Sequence, residues 1–163
     1  MNEINNKNIH YCYMDSPIGR LRIEDDGKAI IALHIFGNKE CYAENESPLL
    51  QEAKKQLEEY FAGNRREFDL PISLHGTDFQ QKVWNALRAI PYGTTLSYGE
   101  VAAKIGNPKA SRAVGGANNK NPIMIIVPCH RVIGANGSLV GFGGGLSAKE
   151  YLLALEKDNK KQN

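Results

Sequence analysis

Cysteine is scarce in this sequence and poorly arranged for cross-linking. Cys12, Cys41 and Cys129 are the only three in 163 residues, odd in number and with no CxxC pair. That spacing leaves neither a disulfide framework nor a structural zinc site. No apolar run of about 18 residues or more occurs, so no membrane-spanning helix is expected. The first stretch, Met1 to His10, is polar and rich in asparagine. It lacks the basic cluster and apolar core of a secretory signal, and a reducing cytoplasm is the expected location. Internal repeats and low-complexity tracts are absent too, and the net charge is only +2.

What is present is globular composition, 42% hydrophobic and 23% charged, with an uneven distribution of charge. Residues 1–75 carry nine Lys/Arg against thirteen Asp/Glu, a net of −4, and residues 76–163 carry eleven against five, a net of +6. A polyanion would meet the back half. The front half reads as three strands, Ile9 to Met14, Gly19 to Asp25 and Ala29 to Phe36, separated by turn signals at Ser16-Pro17 and Asp25-Asp26-Gly27. A helix follows, with Ser47 as N-cap, Pro48 at its first position and Gly63 after its last turn. Its apolar stripe is Leu49, Leu50, Ala53, Leu57, Tyr60 and Phe61. Arg65 to Gly76 reads as an extended linker around Pro71, which places a domain boundary between 1–75 and 76–163.

The back half is mostly helical, making the chain α+β. Thr77 caps a helix with Phe79, Val83, Leu87 and Ile90 on one face, ending before Pro91. Ser97 and Glu100 have capping-box spacing and open a short helix closed by Gly106. Asn107 and Pro108 are expected to start the next, containing Arg112, Ala113 and Val114. Two short helices across a tight turn have helix-turn-helix spacing, and equally that of a common helical hairpin. Lys104, Lys109, Arg112, Lys120 and Arg131 add positive charge that favours DNA. Ile123 to Val127 reads as a buried strand leading to Pro128-Cys129-His130-Arg131-Val132. Gly134 to Gly145, with six glycines, reads as a wing or lid, and Ser147 with Glu150 repeats the capping-box spacing before a last helix through Tyr151, Leu152 and Leu155.

Cys129 is the candidate nucleophile. A free thiol is only a few per cent ionised at neutral pH and needs a base or a positive environment. Neighbours on a regular strand point to opposite faces, so His130 could serve only if Pro128 breaks the strand into a turn. Taken alone, the dipeptide fits equally a buried structural thiol beside a surface histidine.

The motifs around it distinguish the two. Pro91-Tyr92-Gly93-Thr94-Thr95, Ser97-Tyr98, Gly106-Asn107-Pro108, Ser111-Arg112-Ala113-Val114-Gly115, Asn121-Pro122, Pro128-Cys129-His130-Arg131-Val132 and Gly144-Gly145-Leu146 follow in order. With them, residues 78–156 closely resemble the O6-alkylguanine-DNA alkyltransferase family. The front half adds only its strand-rich character and Ser16-Pro17-Ile18-Gly19.

The resemblance implies a small ribonuclease H-like N-terminal domain and a C-terminal domain with a winged helix-turn-helix-like motif. It implies irreversible, stoichiometric transfer of an alkyl group from O6-alkylguanine, and potentially O4-alkylthymine, to Cys129. His130 would be the base acting through a water, Glu156 its orienting acid, and Asn121 the link between the helix-turn-helix and the active-site segment. Arg112 would fill the gap left by a flipped base, and Tyr98 would help rotate the target phosphate and donate toward the base. Ser97 belongs to the same DNA-facing set. Ala113 and Gly115, with the other small residues of their helix, would allow close approach in the minor groove.

Val132, Phe142 and Gly143 would form the base pocket. Many family members carry tyrosine where this chain has Phe142, which removes a hydroxyl from the pocket wall. The implied partner is double-stranded DNA with alkylated bases, bound by a monomer without metal, cofactor or membrane. Three other readings differ in observable ways. A lesion-binding relative would lack the reactive cysteine, and a cysteine hydrolase would turn over repeatedly without DNA. A regulatory DNA-binding protein would bring a second DNA-binding module, and none is visible in the sequence.

Overall fold

The computed structural model describes residues 9–37, 44–139 and 145–160, in two compact units that divide between Leu74 and His75. In the first, β1 (His10–Met14), β2 (Leu21–Asp25) and β3 (Ile30–Ile35) form an antiparallel meander in that order. Side chains alternate between faces along each strand. Cys12, Leu21, Ile23 and Leu33 are fully buried, with Cys12 opposite Ile23 and Ile23 opposite Leu33. Against this face lies α1 (Pro48–Phe61), burying Leu50, Ala53, Leu57 and Tyr60. Each fully buried leucine contributes about 1.5–3 kcal/mol.

Ser47 caps α1 and does a second job. Its Oγ accepts from the Leu50 amide at 3.1 Å and donates to the buried Asp25 carboxylate. Asp25 also accepts from His10 Nδ1 at 2.8 Å and from the Gly27 amide at 3.0 Å, the partners that a buried charge requires. The segment after α1 is more than a linker. Ile30 N donates to Pro71 O at 2.8 Å and Ser73 N to Ile30 O at 2.9 Å. Buried Gln56 grips the Asp69 backbone through both ends of its amide.

The second unit is helical around a minimal sheet. Thr77 opens α2 (Asp78–Arg88) with a complete capping box to Gln80, and α2 buries Val83, Trp84 and Leu87. β4 (Leu96–Ser97) pairs in parallel with β5 (Val132–Ile133). Ser97 then caps α3 (Tyr98–Lys104) with a second capping box to Glu100. After a turn comes α4 (Ser111–Asn119), and the chain ends in α5 (Leu146–Lys160).

Several expectations are corrected here. Asn107 does not cap α4: its carbonyl accepts from Ala110 N at 3.0 Å in a separate turn, and α4 starts at Ser111 with no side-chain cap. Ser147 lies within α5 rather than before it. Ile123 to Val127 is buried but is not a strand. Val127 N bonds Ile123 O at 3.0 Å, Ile126 N bonds Met124 O at 2.8 Å, and Ile125 takes φ +70°. Tertiary burial thus imposes a left-handed turn on β-branched residues that ordinarily resist it. The wing lies partly outside the described residues, as do Phe142 and Gly143. Its described start is a tight turn closed by Gly134 N to Ser138 O at 2.8 Å.

Candidate active site

Cys129, His130 and Arg131 form a single 3-10 turn between Pro128 and β5. This segment is a turn rather than a strand, so consecutive side chains need not alternate. The turn is closed by Val132 N donating to Cys129 O. Cys129 is 4% exposed and His130 wholly buried.

Glu156 is 1% exposed and organises the site. Its Oε2 lies 2.6 Å from His130 Nε2 and accepts from Arg131 Nη2 at 3.0 Å. Its Oε1 accepts from Arg131 Nε at 2.8 Å and from the Gly93 amide at 3.1 Å. Burial alone would raise this carboxyl, but the hydrogen bonds and charges of His130 and Arg131 outweigh burial and hold it well below the usual carboxylate range.

An ionised Glu156 can only accept, so Nε2 of His130 carries the proton and Nδ1 is bare. Nδ1 is buried and has no hydrogen-bond partner among the described residues. Burial lowers the imidazole pKa, and the charges of Arg131 and Lys149 lower it further; Glu156 opposes them without prevailing. The resting pair is therefore carboxylate and neutral imidazole, with an acceptor to spare. Such a nitrogen has the chemistry to serve as a general base.

The thiol needs one. Burial pushes Cys129 up to about 11, against the opposing pull of the Asn121 side chain, Lys149 and nearby backbone amides. Tyr98 is raised by burial and by the thiolate of Cys129, and Lys149 is lowered by burial. Lys149 Nζ stands 6.0 Å from the Tyr98 ring centre and donates to Val132 O at 2.6 Å. Thiol, phenol and amine thus share one neighbourhood.

Asn121 holds the approach to the turn, donating to Val127 O at 2.7 Å and accepting from Ile123 N at 3.0 Å. Arg112 and Ala113 are exposed on α4, and a Cβ at Gly115 would meet the Tyr98 ring at 3.8 Å. Ser97 is absorbed in its capping box. Arg131 leaves the basic surface to which its charge had assigned it. It is 7% exposed, bonded twice to Glu156 and once to Ile90 O at 2.7 Å.

Sequence reading also missed Lys149 and Asn118, and it placed Gly93 in a motif without its bond to Glu156. A signal for Lys149 was available: it sits with Leu152 and Glu156 at spacings of three and four, the buried stripe of α5. Gly93 has φ +74°, and a Cβ there would come within 2.7 Å of the Lys160 side chain. Among the described residues, no group of three or more His, Cys, Asp or Glu side chains could hold a metal ion, and no helix is long and apolar enough to cross a membrane.

Residues 78–158 match the family described as 6-O-methylguanine DNA methyltransferase, DNA binding domain, and residues 9–74 match its ribonuclease-like domain. A methylated-DNA–protein-cysteine methyltransferase of Methanosarcina acetivorans is 51% identical over 154 residues, 91% of this chain and 98% of that protein. The crystal structure of the Mycobacterium tuberculosis O6-methylguanine methyltransferase is 50% identical, covers 93% of this chain and 94% of that one, and has a TM-score of 0.84. The M. tuberculosis OGT structure in complex with DNA is 52% identical, with 92% and 94% covered and the same TM-score.

Proposed function

The chain belongs to the 6-O-methylguanine DNA methyltransferase family, and from that premise we propose that Cys129 is the residue onto which it draws the alkyl group of O6-alkylguanine. It is a DNA-binding methyltransferase of DNA repair, working by alkyl transfer to a cysteine. The observation that carries the choice of cysteine is the bare, buried Nδ1 of His130, the residue next in the chain to a thiol too weakly acidic to ionise unaided.

The thiol proton passes through one water to His130 Nδ1. Sulfur then forms a bond to the alkyl carbon, the carbon–O6 bond breaks, and its electron pair stays with the departing guanine. Glu156 steadies the imidazolium that results. Tyr98 is suited to donate toward the base as charge develops there. Nothing in this sequence of steps restores the thiol, so one molecule repairs one lesion.

The exposed side of α4 fits a minor groove, with Arg112 among small Ala113 and Gly116. Lys104, Lys109 and Lys120 stand exposed around it. The protein acts as a monomer on duplex DNA, and a reducing cytoplasm keeps the thiol available.

The deciding experiment is intact-protein mass after mixing with a duplex carrying one O6-methylguanine. A gain of one methylene that maps to Cys129 and stops at one equivalent is expected. An adduct on Cys12 or Cys41, or none while DNA stays bound, overturns the assignment.

Arg112 gives a second test. Flipping a base out of the stack costs roughly a few kcal/mol, and a side chain that fills the gap matters only in a duplex. Arg112→Ala is expected to slow transfer from duplex DNA by about tenfold or more while leaving the reaction with free O6-benzylguanine within about twofold. Equal losses on both substrates remove the finger role.

A further inference from the structure

We propose that Asn118 is a positioning residue for the transfer, fixing the backbone of Cys129 to the DNA-facing helix. The inference rests on Cys129 being the alkyl acceptor. Asn118 occupies the last turn of α4 and is 1% exposed. Its Nδ2 donates to the carbonyl of Cys129 at 3.3 Å, and its Oδ1 has no hydrogen-bond partner among the described residues. The opposite amide orientation would set two acceptors against each other, so the donor's direction is fixed by chemistry.

A buried amide with one end unsatisfied is costly, and packing alone would favour an apolar side chain of that size. The bond it makes is what distinguishes it. Cys129 O is the carbonyl that closes the 3-10 turn by accepting from Val132 N. A turn of three residues is weakly determined by its own hydrogen bond. A second donor on the same oxygen holds the Cys129 peptide plane and, through it, the direction of Sγ.

The other end of the link is equally firm. Ala117, the preceding residue, gives its carbonyl to Trp84 Nε1 at 2.9 Å, which ties this turn of α4 to α2. Asn121 braces Val127 and Ile123, ahead of the nucleophile. Asn118 reaches the nucleophile's own residue. The same helix therefore presents Arg112, Ala113 and Gly116 outward and holds Cys129 by Asn118 on its inner side.

The test compares Asn118→Leu and Asn118→Asp with the parent protein on duplex O6-methylguanine and on free O6-benzylguanine. Misplacing a reacting group by about 1 Å can cost on the order of 100-fold in rate. Asn118→Leu is expected to slow both reactions by the same factor, about tenfold, with DNA affinity within about twofold. Asn118→Asp turns a donor into an anionic acceptor against Cys129 O. It is expected to lose more and to shift the pH–rate profile toward alkali, because negative charge opposes thiolate formation.

A purely structural role would lower the melting temperature and leave the pH profile where it was. If the leucine variant does not fold, Asn118→Ser, which keeps a donor in a smaller side chain, carries the rate comparison. Parental rates in the folded variants overturn the inference, as does a loss confined to duplex DNA. Peptide mapping of the parent adduct, run alongside, separates this outcome from an error about Cys129 itself.

Discussion

His130→Gln is expected to lower methyl transfer at pH 7 by a factor of about 10²–10⁴, the usual worth of a positioned general base, while DNA affinity is unchanged. Glutamine can still donate to Glu156 but offers no basic nitrogen. The pH dependence should change shape as well as height. In the parent protein the rate falls on the acid side as imidazole becomes imidazolium. Because burial lowers the His130 pKa, that fall should come below the ordinary histidine value of about 6.5.

In the variant only spontaneous thiolate reacts, so the rate should climb about tenfold per pH unit toward the Cys129 value of about 11. Single-turnover rates across this pH range measure both effects. A variant that keeps the parental profile would mean the proton leaves by another route.

Arg131→Leu is expected to be the most destabilising of the substitutions considered. It strips two hydrogen bonds from the Glu156 carboxylate and one from the Ile90 carbonyl. Breaking a buried pair by removing one partner costs about 3–5 kcal/mol, a large share of the roughly 5–15 kcal/mol that holds a domain together.

The chemistry should move too. Arg131 is one of the charges that lower the His130 pKa. Without it the imidazole pairs alone with Glu156 and stays protonated to higher pH, so the acid limb of the rate profile shifts toward alkali. Arg131→Lys keeps the charge but not the fork of donors, and should fall between the two. Denaturant unfolding and single-turnover rates test the pair of effects. A stability change below about 1 kcal/mol for the leucine variant would contradict the buried-pair account.

Elements with local signals were legible in the sequence. Ser47-Pro48, Thr77 with Gln80 and Ser97 with Glu100 each open a helix where the side chains dictate it. The meander follows from alternation and its two turns. Elements decided by tertiary burial were not. Ile123 to Val127 has a strand's composition, yet it turns back on itself through Ile125. In α5 the apolar reading followed Tyr151, Leu152 and Leu155, and of these only Leu152 belongs to the buried face of Ala148, Lys149, Leu152 and Glu156. Two charges on a buried stripe look like solvent positions until their partners are known.

The site shows the same division. Cys129 and His130 stand out in the sequence by identity and order. Arg131 resembled surface charge because its partner, Glu156, lies 25 residues away along the chain. Asn118 carried no local mark at all, since its side chain bonds to a turn whose position depends on the whole unit.

The depth of Cys129 has a consequence for the protein's life before it meets DNA. With a thiol pKa near 11, only about one molecule in ten thousand holds a thiolate at pH 7. Peroxides and disulfides react with thiolates, and reach buried ones poorly. Cys12, with its pKa raised to about 12 and its side chain sealed in the sheet, is duller still. The same burial that keeps the thiol un-ionised also shields the sulfur from such reagents before DNA is met.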